Sequence, residues 1–136
     1  MTKLLLVDDD RAALYALREV LSDVPASLVL AESGEEALRQ VLKQEFAMIL
    51  LDVCLPNMDG FEVAAAIRSL ERSRRTPIIF MSAHDDRRRK PRIHGVEQHY
   101  FRKPLVPHLV RAKVLKMLPA PVPTVDFQPG AARDRA

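Results

Sequence analysis

Through residue 118 the chain alternates short, wholly apolar runs with longer amphipathic stretches. Residues 3–7 (KLLLV), 27–31 (SLVLA), 47–51 (AMILL), 77–81 (PIIFM) and 98–101 (QHYF) read as strands. Between them, 11–22 sets Leu14, Leu17 and Leu21 at helical spacing behind Asp10, a residue suited to capping a helix. The stretch SGEEALRQVLKQEF opens with Ser33 and Glu36 in capping-box spacing, and Leu38, Val41 and Leu42 supply its apolar face. Gly60 leads a helix with Val63, Ala66, Ile67 and Leu70 inward. Residues 106–118 form a last helix, with Pro107 in its first turn and Val110, Val114, Leu115 and Leu118 inward. The segment 85–95 breaks this regularity. Pro91 interrupts a helix there and Gly95 ends it, so a short, frayed fourth helix is expected.

Strands apolar from end to end, each followed by a helix, are buried on both faces. The fold class is therefore α/β: a (βα)5, doubly wound, parallel five-stranded sheet in a flavodoxin-like order, 2-1-3-4-5. A length of 136 residues suits one domain, assigned to 1–118. Residues 119–136 hold four prolines and no periodicity, and read as a linker or disordered tail.

Composition changes this picture little. The single cysteine, Cys54, excludes an internal disulfide and fits a reducing compartment. The N-terminal apolar run is too short for a signal peptide, and no stretch approaches a membrane span, so a cytoplasmic protein with no membrane partner is expected. The net charge of +3 does not by itself imply nucleic acid. Residues 87–92 (RRRKPR), offset by Asp85 and Asp86, read as a solvated surface, and no aromatics are interleaved for stacking on bases.

The chemistry lies where the strands end. Asp8, Asp9 and Asp10 close the first strand and Asp52 the third. In a 2-1-3-4-5 sheet these strands are neighbours, so the acids converge. Ser82 follows the fourth strand and Lys103 the fifth. Two carboxylates about 4 Å apart repel by roughly 4 kcal/mol at an effective dielectric of 20, so the cluster calls for a cation or a proton. Few protein oxygens suit Mg²⁺, which keeps its waters and takes phosphate oxygens. A metal, a lysine, a hydroxyl and one carboxylate suit phosphoryl transfer, with the carboxylate as acceptor.

The ordered set LLLVDDD, LLDVCLPNMDGFEV, PIIFMSA and YFRKP resembles the receiver domain of bacterial two-component response regulators, the chemotaxis-regulator-like fold, over about residues 3–118. The resemblance implies that Asp52 accepts the phosphoryl group from a histidine kinase or a histidine phosphotransfer protein. It implies that Asp8, Asp9, Asp52 and the backbone carbonyl of Cys54 hold Mg²⁺ (or Mn²⁺), Asp9 directly. Ser82 would hydrogen-bond the phosphoryl group and Lys103 would pair with it, its bond to Pro104 being cis. Tyr100 would be the switch aromatic that turns inward on activation. Pro56 and the Asp59-Gly60 pair match the family's loop after the acceptor, and Cys54 and His84 stand at positions that tune acyl-phosphate lifetime. A homodimer is also compatible with the resemblance. The module would be no enzyme beyond catalysing its own phosphotransfer and slow autodephosphorylation.

Two other readings stay open in the sequence. One is a protein-interaction or nucleic-acid-binding module that works without phosphorylation. The other is a haloacid-dehalogenase-like phosphatase using Asp8 and Asp10, although Arg11-Ala12 departs from that family's usual motif. A redox or catalytic role for Cys54 has no base or second cysteine to support it.

Overall fold

The computed structural model describes residues 2–83 and 99–119. The expected helix at 85–95, His84, the basic run Arg87–Arg92 and residues 120–136 of the tail lie outside the described residues.

Five strands, β1 (Lys3–Val7), β2 (Ser27–Ala31), β3 (Met48–Asp52), β4 (Ile78–Ser82) and β5 (His99–Arg102), form one sheet in the order β2-β1-β3-β4-β5. All four pairings are parallel. The described helices are α1 (Arg11–Val20), α2 (Gly34–Lys43), α3 (Gly60–Ser69) and α4 (Pro107–Met117).

Strand alternation splits the core in two. Leu5, Val7, Ile49, Leu51, Ile78 and Phe80 face one side, where Ala37 and Val41 of α2 and Phe61, Val63 and Ile67 of α3 cover them. Leu4, Leu6, Met48, Leu50, Ile79 and Met81 face the other, under Leu14 and Leu17 of α1 and Val110 and Val114 of α4. A buried Leu or Val contributes about 1.5–3 kcal/mol relative to an exposed one, so a strand apolar on both faces is stable only as an inner layer.

β3 and β4 each begin one residue later than the periodicity suggests. For β4 the reason is plain: Pro77 has no N–H to give the ladder, although its carbonyl accepts from Ile49 at 3.0 Å. At the other end, Asp52 still pairs in register with Met81. Asp52 and Ser82 are therefore the last residues of rigid strands and not the first residues of loops.

The helix faces need three corrections. Leu42 is 61% exposed and Leu115 is 38% exposed, and Ala64, not Ala66, is the buried alanine of α3. In α2 the inward positions are Gly34, Ala37 and Val41, and Leu42 lies a further 100° or so around the helix. The same rotation takes Leu115 away from Val110 and Val114.

The caps are largely as read. Asp10 Oδ1 accepts from the amides of Ala12 and Ala13, and Ser33 Oγ accepts from Glu36 N at 3.0 Å. The Ser33/Glu36 box is only half made, because Glu36 Oε2 accepts from Glu32 N instead. A full reciprocal box occurs at α3, where Asp59 accepts from Phe61 N at 2.7 Å and Glu62 accepts from Asp59 N at 3.0 Å. Asp59-x-x-Glu62 carries that signal in the sequence, beside the Ser33 one.

Candidate phosphoacceptor site

The tips of β1, β3 and β5 converge on one cluster. Asp8 and Asp52 are each held in the same way. One oxygen accepts from a backbone amide two residues on: Asp10 N at 2.9 Å for Asp8 and Cys54 N at 3.0 Å for Asp52. The other accepts from Lys103 Nζ at 2.9 Å in both cases. The local backbone turn thus sets each carboxylate's orientation, and the lysine joins the two. Both carboxylates are buried, at 3% and 6% side-chain exposure, whereas the lysine is 24% exposed. Asp9 is exposed, and one oxygen from each of Asp8, Asp9 and Asp52 lies within 4.8 Å of the others.

Lys103 is positioned by its backbone. Its N–H donates to the carbonyl of Ser82 at 2.7 Å, and its bond to Pro104 is cis, as the family resemblance implied. Ser82 itself is buried at the tip of β4, next to β3. It continues the alternation of Ile78 and Phe80, so it approaches from the α2/α3 side of the sheet, while Asp52 follows Leu50 on the α1/α4 side. Tyr100 lies two residues further down from the edge, stacked on Phe80. At Cys54 it is the amide whose contact with Asp52 is seen.

Electrostatics follow from this burial. Burial raises the Asp52 carboxyl above the ordinary 3.8, and the nearby charge of Asp8 adds to it, against the lowering by the hydrogen bonds from Lys103 and Cys54 N. Burial works to lower the Lys103 ammonium, but its hydrogen bonds to Asp8 and Asp52 outweigh this and raise it above the ordinary 10.5. The cluster formally holds three negative charges and one positive. An all-oxygen donor set with surplus negative charge and one exposed carboxylate fits a hard divalent cation.

One feature of the site was not legible from motif spacing. A Cβ on Gly60 would lie 2.3 Å from the Asp52 carbonyl oxygen and 2.7 Å from Val53 Cα. Gly60 N also donates to Val53 O at 2.8 Å. The first turn of α3 therefore packs directly on the backbone of the acidic strand tip. The loop between them turns at Asn57, which has φ of 65°, a conformation that asparagine tolerates better than most residues. The aromatic group Phe61, Phe80 and Tyr100 was likewise scattered along the sequence and meets only in the fold.

Comparison with known proteins agrees with this geometry. Residues 4–114 match the response regulator receiver domain. The transcriptional regulatory protein ResD of Bacillus subtilis is 34% identical over 120 residues, 86% of this chain and 48% of ResD. The signal transduction histidine-protein kinase BarA of Shigella flexneri is 30% identical over 114 residues, 83% of this chain and 12% of BarA. The chain thus spans half or less of the length of these relatives. Among solved structures, the chemotaxis protein CheY4 of Vibrio cholerae superimposes with a TM-score of 0.77 at 28% identity, covering 87% of this chain and 99% of CheY4. TrrA of Thermotoga maritima, solved in complex with Mg(2+)-BeF, gives 0.75 at 29% identity, covering 87% and 100%. With the strand order, the acidic cluster and the family match in agreement, the chain belongs to the response regulator receiver domain family of two-component signalling.

Proposed function

We propose that Asp52 accepts a phosphoryl group from a phosphohistidine on a histidine kinase or phosphotransfer protein, and that residues 1–118 act as the receiver unit of that exchange. The observation that carries this reading is the position of Lys103 Nζ, 2.9 Å from both Asp52 Oδ2 and Asp8 Oδ2, with Asp9 beside them. Asp52 is buried and held by Cys54 N, with one oxygen aimed at the cluster. A divalent ion bound by Asp8, Asp9 and Asp52 would neutralise charge on the phosphoryl oxygens; Mg²⁺ is the ion we assign, and the Mg(2+)-BeF bound by TrrA supports the choice. Lys103 supplies the remaining positive charge and can pass from the carboxylate to a phosphoryl oxygen with little movement. Ser82, fixed at the tip of the neighbouring strand, is the hydroxyl we assign to the phosphoryl group. The product is an aspartyl phosphate, and no small molecule need be turned over.

The phosphatase reading requires Asp10 as acid and base. Asp10 is engaged instead as the cap of α1, which favours Asp52.

Intact mass after incubation with acetyl phosphate and Mg²⁺ tests the proposal. One added phosphoryl group is expected, absent in Asp52→Ala and absent without metal. Label retained in Asp52→Ala would move the acceptor elsewhere, and a folded protein that takes up none would end the proposal.

A further inference from the structure

The turn that leads into β4 concentrates positive charge. Four arginines, Arg68, Arg72, Arg74 and Arg75, fall within eight residues, with Glu71 the one acid among them. Two of them build the turn. Arg68 is buried, and its Nη1 donates to the carbonyl of Arg74 at 3.2 Å and to that of Thr76. Arg72 Nη2 donates to the carbonyls of Val41 at 2.8 Å and Leu42 at 2.7 Å, where α2 ends. Ser73 Oγ closes the turn on the carbonyl of Ile67 at 2.6 Å. The turn is thus tied to both α2 and α3, and Arg74 and Arg75 stand exposed on it.

Among the described residues, none of these four guanidinium groups meets a carboxylate. The exposed Arg11 and Arg111 do: Arg11 lies 3.2 Å from Glu32 and Arg111 lies 2.7 Å from Asp23. Water can serve an unpaired cation on the surface, but Arg68 is withdrawn from it. Its Nε has no partner among the described residues, and burial works against its charge. Arg72, Arg74 and Arg75, with Glu71 and Thr76, line an open hollow of about 460 Å³. A guanidinium presents paired N–H groups that match phosphate oxygens, so arginines gathered around a polar hollow suit a phosphate-bearing anion.

We propose that this turn binds a small oligophosphate through Arg74 and Arg75, with Arg68 and Arg72 as positioning residues that hold the turn and add to its field. The site lies at the amino end of β4, whereas Asp52 and Ser82 close the carboxyl ends of the strands, a strand's length or about 15 Å away. The inference is therefore independent of the reading of Asp52. The phosphates are the recognised chemistry, whether they belong to a free polyphosphate or to a nucleotide. No aromatic side chain lines the hollow to stack the bases of a nucleic-acid strand.

Isothermal titration of the full chain with tripolyphosphate, in metal-free buffer at low salt, tests this. One saturable site is expected. Arg74→Gln/Arg75→Gln should weaken binding about tenfold or more, with the Tm of the wild type. Arg74→Lys/Arg75→Lys keeps the charge but loses the planar fork, and its affinity should fall between the two. Arg87→Gln/Arg88→Gln/Arg89→Gln, in the other basic run, should bind as the wild type does. ATP as titrant separates the sources: an affinity equal to or below that of tripolyphosphate points to a free polyphosphate and a higher one to a nucleotide, and either supports the site. The proposal is overturned by the lack of a saturable site, by wild-type affinity in Arg74→Gln/Arg75→Gln, or by a loss of affinity in the Arg87 variant instead. Binding of an oligodeoxythymidine without binding of tripolyphosphate also overturns it, in favour of a nucleic-acid surface. If the double variant melts early, Arg74→Gln and Arg75→Gln are titrated singly, and wild-type affinity in both overturns the proposal.

Discussion

Gly60→Ala should damage both the stability of the domain and the geometry of Asp52. The new methyl group would lie 2.3 Å from the Asp52 carbonyl oxygen and must gain about 0.7 Å to reach the 3.0 Å that real contacts respect. Both nearest atoms, Asp52 O and Val53 Cα, are backbone of a fully buried strand end, so no side chain can swing away. Either α3 lifts or the tip of β3 is pushed. Overpacking of this kind costs about 1–3 kcal/mol, offset by less than 1 kcal/mol from replacing glycine in a first helical turn. A net loss of about 1–2 kcal/mol corresponds to a fall of roughly 3–10 °C in Tm for a domain of this size. Displacement of Asp52, the proposed acceptor, by a fraction of an ångström should slow phosphoryl uptake by about 10- to 100-fold. Gly34→Ala is the internal comparison. Its methyl group would have side-chain atoms as its nearest neighbours, Val63 Cγ2 at 2.7 Å and Met58 Sδ at 3.2 Å, and not the backbone of the acidic strand tip. It should cost less stability and leave uptake unchanged. Thermal melts and the initial rate of phosphorylation by acetyl phosphate, measured on both variants, decide the matter. A Gly60→Ala protein with wild-type Tm and wild-type uptake would refute the reasoning.

Three further outcomes are expected. Lys103→Met leaves two buried carboxylates facing each other, and should lower stability by about 2–3 kcal/mol in chelator. Mg²⁺ should raise its Tm more than the wild type's, and equal shifts would argue against a shared cation site. Asp10→Ala removes the acceptor of two α1 amides and should cost about 1 kcal/mol without altering phosphoryl uptake; abolished uptake would revive Asp10 as an acid and base. The raised Asp52 carboxyl gives a pH signature whose sign is fixed. A folded pKa above the unfolded one contributes stability that is complete below the unfolded value and is lost as pH rises through the folded value. Urea midpoints for wild type minus Asp52→Asn should therefore fall with rising pH from about the ordinary 3.8 upward, and a flat or rising difference would contradict the burial of Asp52.

Much of this protein could be read along the chain. Runs such as Leu4–Val7 and Met48–Leu51 can be buried only on both faces, which requires a parallel sheet under two helical layers, and each run ends in the polar residue that forms the site. Asp8, Asp52 and Ser82 were legible because each is the first polar residue after an apolar strand, with Asp9 next to Asp8 and Lys103 one residue beyond Arg102 at the end of the fifth strand, and short-range signals such as the Asp10 and Ser33 caps were legible because they involve neighbours in sequence. Other features depend on distances that sequence spacing does not encode. That one ammonium lies 2.9 Å from two carboxylates follows from how β1, β3 and β5 end relative to one another. The need for glycine at position 60 comes from α3 settling on the β3 backbone, and the outward turn of Leu42 and Leu115 from the rotation at which each helix docks. Tyr100 joins the aromatic group because register places it opposite Phe80 while α3 brings Phe61 to both. Periodicity determines which face an element buries; the packing of one element on another decides which atoms meet, and that is where the charge, the close approach and the aromatic cluster arise.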